Sequence, residues 1–158
     1  MHAGDSGAVT RRIGAPPALV YRVVSDVTRI REWSPQTVSC EWIEPERGAV
    51  AGARFKARNR RGRARWSNTP WVVSAEPGRE FAFRRVAARS DVTWTYRLTP
   101  VGDGTDVTES FEVHKPPPPV LQWFFDKVDG VTDRLADLEA NLRASLDGLA
   151  EVMAREPR

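Results

Sequence analysis

The sequence predicts an α+β fold in which a curved antiparallel sheet grips one closing helix. Three observations support this prediction. A short apolar segment leads into a small helical module, a run of aromatic-rich segments with period-two alternation follows, and an amphipathic segment closes the chain. A sheet and a helix in this order can enclose an apolar pocket, so the sequence indicates a protein that binds a small hydrophobic molecule.

The first elements follow from local signals near the N-terminus. Residues 1–7 are small and polar and are expected to form a disordered tail. Ala8 to Ile13 is predicted to be the first strand. Pro16 and Pro17 open a helix, because proline suits the first helical turn. Ser25-Asp26 ends that helix and caps a second short one over 27–33.

From Thr37 onward the pattern changes to strands. Residues 54–60 alternate sharply, and Arg61-Gly62 is typical of a tight hairpin turn. Arg65 to Glu76 is predicted as one long strand, in which Pro70 indicates a sheet edge or a bulge because proline has no N–H to donate. Further strands are predicted over 38–42, 81–86, 92–99 and 106–114.

A long helix is predicted from Val120 to Met153, where apolar residues recur at three- and four-residue steps. A helix of that length spans ~50 Å at the standard rise, which exceeds what a small sheet covers. Gly130 therefore indicates a kink, or a point where a strand or ligand approaches closely. Alternatively, the far end projects or packs on a second copy, so a homodimer through this helix is one expected assembly.

Composition limits the other classes of function. A chain of 158 residues with 41% hydrophobic and 28% charged residues is expected to form a single domain over 8–158. Cys40 is the only cysteine, which excludes an intrachain disulfide and a cysteine-based zinc site. With two histidines and no nucleotide-binding fingerprint, we expect neither a metal nor another cofactor. No apolar stretch has the length of a signal peptide or a membrane span, so we expect a cytoplasmic protein.

Six segments, taken in order, resemble a known family. They are residues 13–21 (IGAPPALVY), 26–35 (ending in WSP), 52–55 (GARF), 76–83 (EPGREFAF), 94–96 (WTY) and 104–112 (GTDVTESFE). The pattern resembles the START-like (SRPBCC) superfamily, and within it the polyketide cyclase/dehydrase and lipid-transport family. The resemblance implies a helix-grip fold: a seven-stranded curved antiparallel sheet, two short helices after the first strand, and a long C-terminal helix over the concave face. It also implies a hydrophobic ligand between sheet and helix, and the superfamily has no universal catalytic motif.

Aromatic side chains dominate the expected walls of such a pocket, because large flat side chains offer much contact area at low entropic cost. Trp66 and Trp71 fall on opposite faces of an ideal strand, and a bulge near Pro70 would let both face inward. The residues expected to contact the ligand are Trp33, Phe55, Asn59, Trp66, Phe83, Trp94, Tyr96, Glu109, Phe111, Phe124, Phe125 and Val128. The alternative for each single aromatic is that it simply fills the core.

Glu109 is the first candidate for chemistry. It shares one face of its predicted strand with three apolar residues, so its carboxyl group would point to the cavity side. A carboxyl group in apolar surroundings has a raised pKa and can act as a general acid or base. Tyr96 is the second candidate, with an apolar ring and a polar tip. The alternatives are an ion pair or a place at the rim for Glu109, and a core tyrosine with its hydroxyl at the edge for Tyr96.

The segment from Arg54 to Arg65 holds seven basic residues and no acid. Clustered cations are typical of nucleic-acid binding. Alternation, however, places Arg54, Lys56 and Arg58 on the solvent face of a hairpin, where charge protects a sheet edge from aggregation. We therefore expect a solvated hairpin rather than a nucleic-acid site, with an anionic partner as the alternative.

Three functions are compatible with these observations, and we favour the first. It is the binding or carrying of a small hydrophobic, aromatic or lipid-like molecule. The second is that of a polyketide aromatase/cyclase or dehydratase acting in the same cavity, with Glu109, Tyr96 or Asn59 handling protons. The third is that of a protein-interaction module without a ligand, which uses the overhanging helix and the basic hairpin.

Overall fold

The predicted sheet is present in the computed structural model of the chain, which describes residues 1–87 and 90–158. Its strands are β1 (Ser6–Ile13), β2 (Thr37–Trp42), β3 (Phe55–Arg61), β4 (Ala64–Asn68), β5 (Trp71–Glu76), β6 (Glu80–Ala87), β7 (Ser90–Val101) and β8 (Gly104–Lys115). The helices are α1 (Pro17–Val24), α2 (Pro119–Asp129) and α3 (Arg134–Arg155), with 3-10 helices over Val27–Glu32 and Pro45–Arg47. None of the helices in this described part of the chain is long and apolar enough to cross a membrane.

The strands form a five-stranded and a three-stranded antiparallel sheet, which meet at a bridge between Arg54 and Trp71. Hydrogen-bonded ladders order five strands as β1-β8-β7-β6-β5 and three as β2-β3-β4. The Phe55 N–H donates to the Pro70 carbonyl at 3.1 Å, and the Val72 N–H donates to the Ala53 carbonyl at 2.8 Å, which joins the two groups. The chain thus has the helix-grip fold, with the sheet bent around α3.

A proline interrupts one strand of this sheet. The sequence predicts a single strand over 65–76, whereas the structure divides it into β4 and β5 at Thr69 and Pro70. Pro70 accepts a hydrogen bond from Phe55 but has no N–H with which to return one, so the ladder breaks there. The structure therefore has eight strands where the family resemblance implies seven.

A glycine divides the long predicted helix in the same way. α2 ends at Asp129, Gly130 adopts a left-handed conformation with φ 68°, and α3 begins at Arg134. Glycine is a common helix stop because it has no Cβ to clash in this conformation. Asp133 then starts α3, since its carboxylate accepts from the Ala136 N–H at 3.2 Å. The expectation of one helix over 120–153 is therefore wrong, and α3 is the helix that covers the sheet.

β1 begins earlier than the sequence predicts. Ser6 and Gly7 pair with Glu112 and Phe111 of β8. The backbone is paired even before the strand starts, because the Gly4 N–H donates to a carbonyl of β8 at 2.7 Å. Residues 6–7 therefore belong to the sheet rather than to a tail.

The core lies between the sheet, α1, the first 3-10 helix and α3. Its largest side chains with less than 2% exposure are Phe55, Phe81, Phe111, Leu142, Leu146 and Leu149. They pack closely against other buried side chains of the core. The centre of the expected cavity is therefore occupied by protein side chains.

Candidate functional site

A buried row of side chains crosses the sheet. Glu109 on β8 pairs directly with Tyr96 on β7, and Tyr96 pairs with Phe81 on β6. Val9 on β1 is the partner of Glu109 on its other side. Directly opposite residues of antiparallel strands project to the same face of the sheet. The carboxyl group of Glu109 and the phenol of Tyr96 are therefore neighbours in the interior.

The helix α3 brings a hydroxyl group to this row. Ser145 is 4% exposed, and its hydroxyl lies near Glu109 and Tyr96 and lowers the pKa of each, but the geometry of a hydrogen bond to either residue is not reached. The rest of the buried face of α3 is apolar and consists of Leu142, Leu146, Leu149, Val152 and Met153. Ser145 is thus the polar group that α3 contributes to the site.

Trp33 closes the site from the end of the first 3-10 helix. That helix starts at Asp26, whose side chain accepts from the Thr28 N–H at 3.1 Å. The Trp33 indole Nε1–H donates to Tyr96 Oη at 3.2 Å. α3 approaches Trp33 closely at Gly148, where a Cβ would lie 2.7 Å from the Trp33 carbonyl oxygen. The indole is therefore held between the sheet and α3.

Burial determines the proton affinity of the central carboxyl group. Burial raises the pKa of Glu109 to about 8, because a carboxylate is poorly solvated in an apolar interior. The hydroxyl groups of Tyr96 and Ser145 only partly oppose that rise. Burial, and then the charge of Glu109, raise the pKa of Tyr96 well above its usual value. At neutral pH the site is therefore mainly uncharged, and Glu109 can exchange a proton close to that pH.

Two buried oxygen atoms at this site lack a hydrogen-bond partner among the residues that the structure describes: Oε2 of Glu109 and Oγ of Ser145. A buried polar atom without a partner costs roughly 1–3 kcal/mol, and native proteins keep few of them. Tyr21 and Gln122 each carry one such atom elsewhere. Near Glu109 two unpartnered oxygen atoms occur together, so a polar atom bound at this point could form the most new hydrogen bonds.

An aromatic row lies beside the polar one. Phe83, Trp94 and Phe111 are consecutive cross-strand neighbours on β6, β7 and β8. The rings of Trp94 and Phe111 have centroids 5.9 Å apart. Phe83 packs edge to face on Phe55 of β3 at 5.4 Å. Together with Trp33, Tyr96 and Glu109, these are the predicted wall residues that the fold brings together.

Three predicted wall residues lie at the surface instead. Trp66 is 40% exposed, Phe124 53% and Val128 58%. Trp66 pairs with Asn59 in the β3-β4 hairpin. α3 packs mainly against β1 and β8, which lie far from this hairpin in the strand order, so it does not cover Trp66. Phe124 and Val128 lie on α2, which the break between the helices separates from α3. Asn59 and Phe125 are half-buried.

A surface cleft of about 550 Å³ lies near the chain segment that follows Trp33. Its walls come from the loop after the first 3-10 helix, the tip of the β3-β4 hairpin, and Asn141 of α3. Asn141 lies one helical turn from Ser145 on the same side of α3, and Pro35 lies two residues from Trp33. The volume falls within the range of small-molecule sites, about 300–1,000 Å³. The cleft is therefore the candidate entrance.

The groups at the site are suited to hydrogen bonding and proton transfer. In the described ranges 1–87 and 90–158, no three His, Cys, Asp or Glu side chains are grouped to hold an ion. Glu109 is accompanied by a phenol, an aliphatic hydroxyl and an indole N–H. This set can orient a hydroxyl or carbonyl group of an organic molecule.

Sequence reasoning missed Ser145 and the role of the Trp33 indole. Ser145 follows Leu142 by three residues and precedes Leu149 by four, so it lies on the apolar face of the helix. A single polar residue on that face is the signal that identifies it. The hydrogen bond from Trp33 to Tyr96 joins residues 63 positions apart, and no local pattern predicts it.

The family model described as "Polyketide cyclase / dehydrase and lipid transport" matches residues 6–154. The match spans every strand and nearly all of α3. No curated protein matches the chain.

Solved structures share the fold over nearly the whole chain. The Zhui aromatase/cyclase from Streptomyces sp. R1128 has a TM-score of 0.74 at 18% identity, with 98% of this chain and 96% of that chain covered. Protein TTHA0849 from Thermus thermophilus has a TM-score of 0.72 at 19% identity, with 95% and 97% covered. The Polyketide_cyc-like protein Cgl2372 from Corynebacterium glutamicum is 33% identical, with 98% and 90% covered and a TM-score of 0.54. The first two comparisons show the fold, and the third adds a relationship in sequence.

Proposed function

Since the chain belongs to the polyketide cyclase/dehydrase and lipid-transport family of the START-like superfamily, we propose that it binds a small hydrophobic molecule bearing a polar group. The single observation that carries this proposal is the pair of unpartnered oxygens, Oε2 of Glu109 and Oγ of Ser145, in the described interior. A ligand hydroxyl or carbonyl group beside them would satisfy both. We further propose that the protein acts in the cytoplasm.

Affinity and orientation would come from different parts of the site. Apolar walls contribute roughly 25 cal/mol for each Å² of ligand surface removed from water. Glu109, protonated at neutral pH because burial raises its pKa to about 8, would donate a hydrogen bond to a ligand oxygen. Ser145 can donate or accept, so it would complete the contact with either a hydroxyl or a carbonyl group. The preferred ligand is therefore an uncharged aromatic or aliphatic molecule that carries a hydroxyl or carbonyl group.

Entry of the ligand would require side chains to move. The route we propose runs from the cleft beside Pro35 and Asn141 towards Ser145. Trp33 lies next to this route, since it precedes Pro35 by two residues, its indole contacts Tyr96 and its backbone contacts α3. The 3-10 helix that carries Trp33 has poorer hydrogen-bond geometry than an α-helix, so its displacement costs less than bending a strand.

Mass spectrometry under native conditions, on protein purified from its own host, tests the proposal first, because a co-purified molecule reveals the ligand. A titration with naphthol and with its methyl ether then tests the polar contact. Naphthol should bind the wild type more tightly than the ether does, and Glu109→Gln should weaken naphthol binding and abolish its pH dependence near pH 8. Glu112→Gln is the matched control, since Glu112 is exposed on the same strand. Unchanged affinity and pH dependence in Glu109→Gln would refute this role.

A second candidate function is that of an aromatase/cyclase or dehydratase. The observation that favours it is a carboxyl group with a pKa of about 8 directly opposite a buried tyrosine, because a general acid or base works best when its pKa is near the working pH. The carboxylate form of Glu109, which is populated as the pH approaches 8, would take up a proton from the carbon next to a carbonyl group, and the Tyr96 hydroxyl would donate a hydrogen bond to the enolate oxygen that forms. Turnover of a β-keto thioester that is lost in Glu109→Gln and in Tyr96→Phe would establish this activity. Ligand binding without turnover would exclude the enzyme and support the carrier function.

The packed centre of the core favours a third candidate, an interaction module without an interior ligand. That function predicts that no molecule co-purifies and that neither naphthalene probe binds. The same two experiments therefore separate it from the carrier and the enzyme.

A further inference from the structure

α2 carries an exposed apolar stripe. Val120, Trp123, Phe124 and Val128 are 80%, 61%, 53% and 58% exposed. They recur at three- and four-residue steps, so they share one side of this 11-residue helix. The structure describes α2 in full, and none of its residues is buried. Contiguous exposed apolar surface of this kind marks an interaction site.

The acidic residues of α2 are held away from the stripe. Arg134, at the start of α3, donates to Asp126 at 2.8 Å and to Asp129 at 2.9 Å. Lys127 instead lies on the stripe side, with its Nζ 5.5 Å from the centroid of the Trp123 ring. The stripe therefore presents aromatic rings and a cation, while the carboxylates of the helix are neutralised against α3.

The tip of the basic β3-β4 hairpin lies at the same end of the molecule. Arg61 donates to both carboxylate oxygens of Asp137, in the first turn of α3, at 2.8 Å each. Arg134 lies 3.7 Å from the same carboxylate, so one ionic cluster connects the hairpin tip to α2. Arg60 and Arg63 at this tip are exposed. The hairpin thus adds positive charge at the same end of the molecule as the apolar stripe.

From these contacts we infer that α2 and the hairpin tip form a docking surface for an anionic lipid bilayer. Trp123 and Phe124 suit the boundary between headgroups and acyl chains, and the arginines suit lipid phosphates. A second copy of the chain fits less well, because a symmetric contact through α2 would bring the same cations together. Nucleic acid fits less well because it offers no apolar layer to Val120 and Val128. The inference is independent of what the interior binds.

Co-sedimentation with vesicles tests the apolar stripe. The wild type should bind vesicles that contain phosphatidylcholine and phosphatidylglycerol. Its binding to vesicles of phosphatidylcholine alone should be at least about fivefold weaker. Trp123→Ser with Phe124→Ser should lower binding to the anionic vesicles about tenfold or more, because both rings then no longer enter the bilayer. The matched control is Ile43→Ser with Val50→Ser: both residues are exposed and lie at the end of β2 and β3 opposite the hairpin tip, so binding should not change.

The charge contribution has its own pair of variants. Arg60→Ser with Arg63→Ser should weaken binding to the anionic vesicles at least about fivefold and leave binding to neutral vesicles unchanged. Arg22→Ser with Arg31→Ser removes the same charge from exposed positions on α1 and the first 3-10 helix and should have no comparable effect. Equal losses in the two pairs would overturn the role of the hairpin.

A fluorescent label reports directly on insertion. The natural thiol of Cys40 is 5% exposed, and burial raises its pKa to about 12, so it does not compete for a thiol-reactive dye. A polarity-sensitive dye on Val120→Cys should shift to the blue with anionic vesicles, whereas the same dye on Val50→Cys should not. Absence of this blue shift would overturn the inference. It would also be overturned if the wild type did not bind vesicles but formed a dimer in light scattering, and if Trp123→Ser with Phe124→Ser dissociated that dimer.

Discussion

Tyr96 and Glu109 face each other as a direct antiparallel pair on β7 and β8, with Ser145 of α3 beside both. Burial raises the pKa of Glu109 to about 8, and the negative charge that Glu109 then gains raises the pKa of Tyr96 further. Glu109 therefore holds its proton to a higher pH than an exposed carboxyl group does.

Glu109 should make the folded state less stable as the pH rises from about 4.5 to 8. Its pKa is about 8 in the folded state against an ordinary value of 4.5, so between these values the folded state binds the extra proton. The contribution of Glu109 is therefore fully present below pH 4.5 and is lost as the pH rises through 8, by at most about 1.4 kcal/mol per pH unit.

Urea unfolding of the wild type and Glu109→Gln across this pH range measures that contribution. The free energy of unfolding of the wild type relative to Glu109→Gln should decrease with rising pH. Glu112→Gln, which changes an exposed residue of the same strand, should follow the wild type. If the curves of Glu109→Gln and the wild type were parallel, Glu109 would have an ordinary pKa.

Two tyrosine-to-phenylalanine substitutions should differ in their effects. Tyr96→Phe leaves the buried Trp33 Nε1–H without the acceptor that it reaches at 3.2 Å, which costs about 1–3 kcal/mol. Tyr21 Oη is buried and has no partner in the described chain, so Tyr21→Phe should leave the free energy of unfolding unchanged or raise it. Denaturant unfolding of both variants at neutral pH gives the comparison, and equal losses would contradict it.

Gly148→Ala should destabilise the protein although alanine is the better helix former. A Cβ at this position would lie 2.7 Å from the Trp33 carbonyl oxygen and 3.0 Å from the Trp33 Cα. Backbone atoms cannot rotate away, so α3 must shift. We expect this shift to lower the free energy of unfolding by about 1–3 kcal/mol, which outweighs the roughly 1 kcal/mol that alanine gains in helix propensity. Gly14→Ala is the control, since nothing lies within 4 Å of a Cβ there. A Gly148→Ala variant more stable than the wild type would show that α3 does not pack here so closely.

Arg134→Met should loosen α2. The Arg134 side chain is 14% exposed and contacts Asp126 at 2.7 Å and Asp129 at 2.9 Å. Its loss removes hydrogen bonds between charged groups, and we expect a decrease of roughly 1–3 kcal/mol in the free energy of unfolding. Amide hydrogen exchange in α2 should accelerate more than in α3. Arg143→Met breaks only an exposed pair with Glu139 and should cost no more than about 0.5 kcal/mol.

Local rules of backbone geometry account for the parts of the site that were predictable. Val107, Glu109, Phe111 and Val113 are all buried, as alternation along a strand predicts, because successive side chains point to opposite faces. Pro70 and Gly130 were also visible as interruptions. The division of the strand and of the helix at these two residues was not visible, since the break at Pro70 depends on its pairing with Phe55.

The amino-acid sequence by itself determined the order of the elements, the inward face of β8 with its carboxyl group, and the family. Only the tertiary structure decided that Ser145 lies beside Glu109, that the Trp33 indole meets Tyr96, and that Trp66 and Phe124 stay outside. The physical reason is that the facing of a side chain follows from the periodicity of its own strand or helix. Burial, in contrast, depends on which distant segment packs over it, and that is decided by the docking of α3 and the break at Gly130.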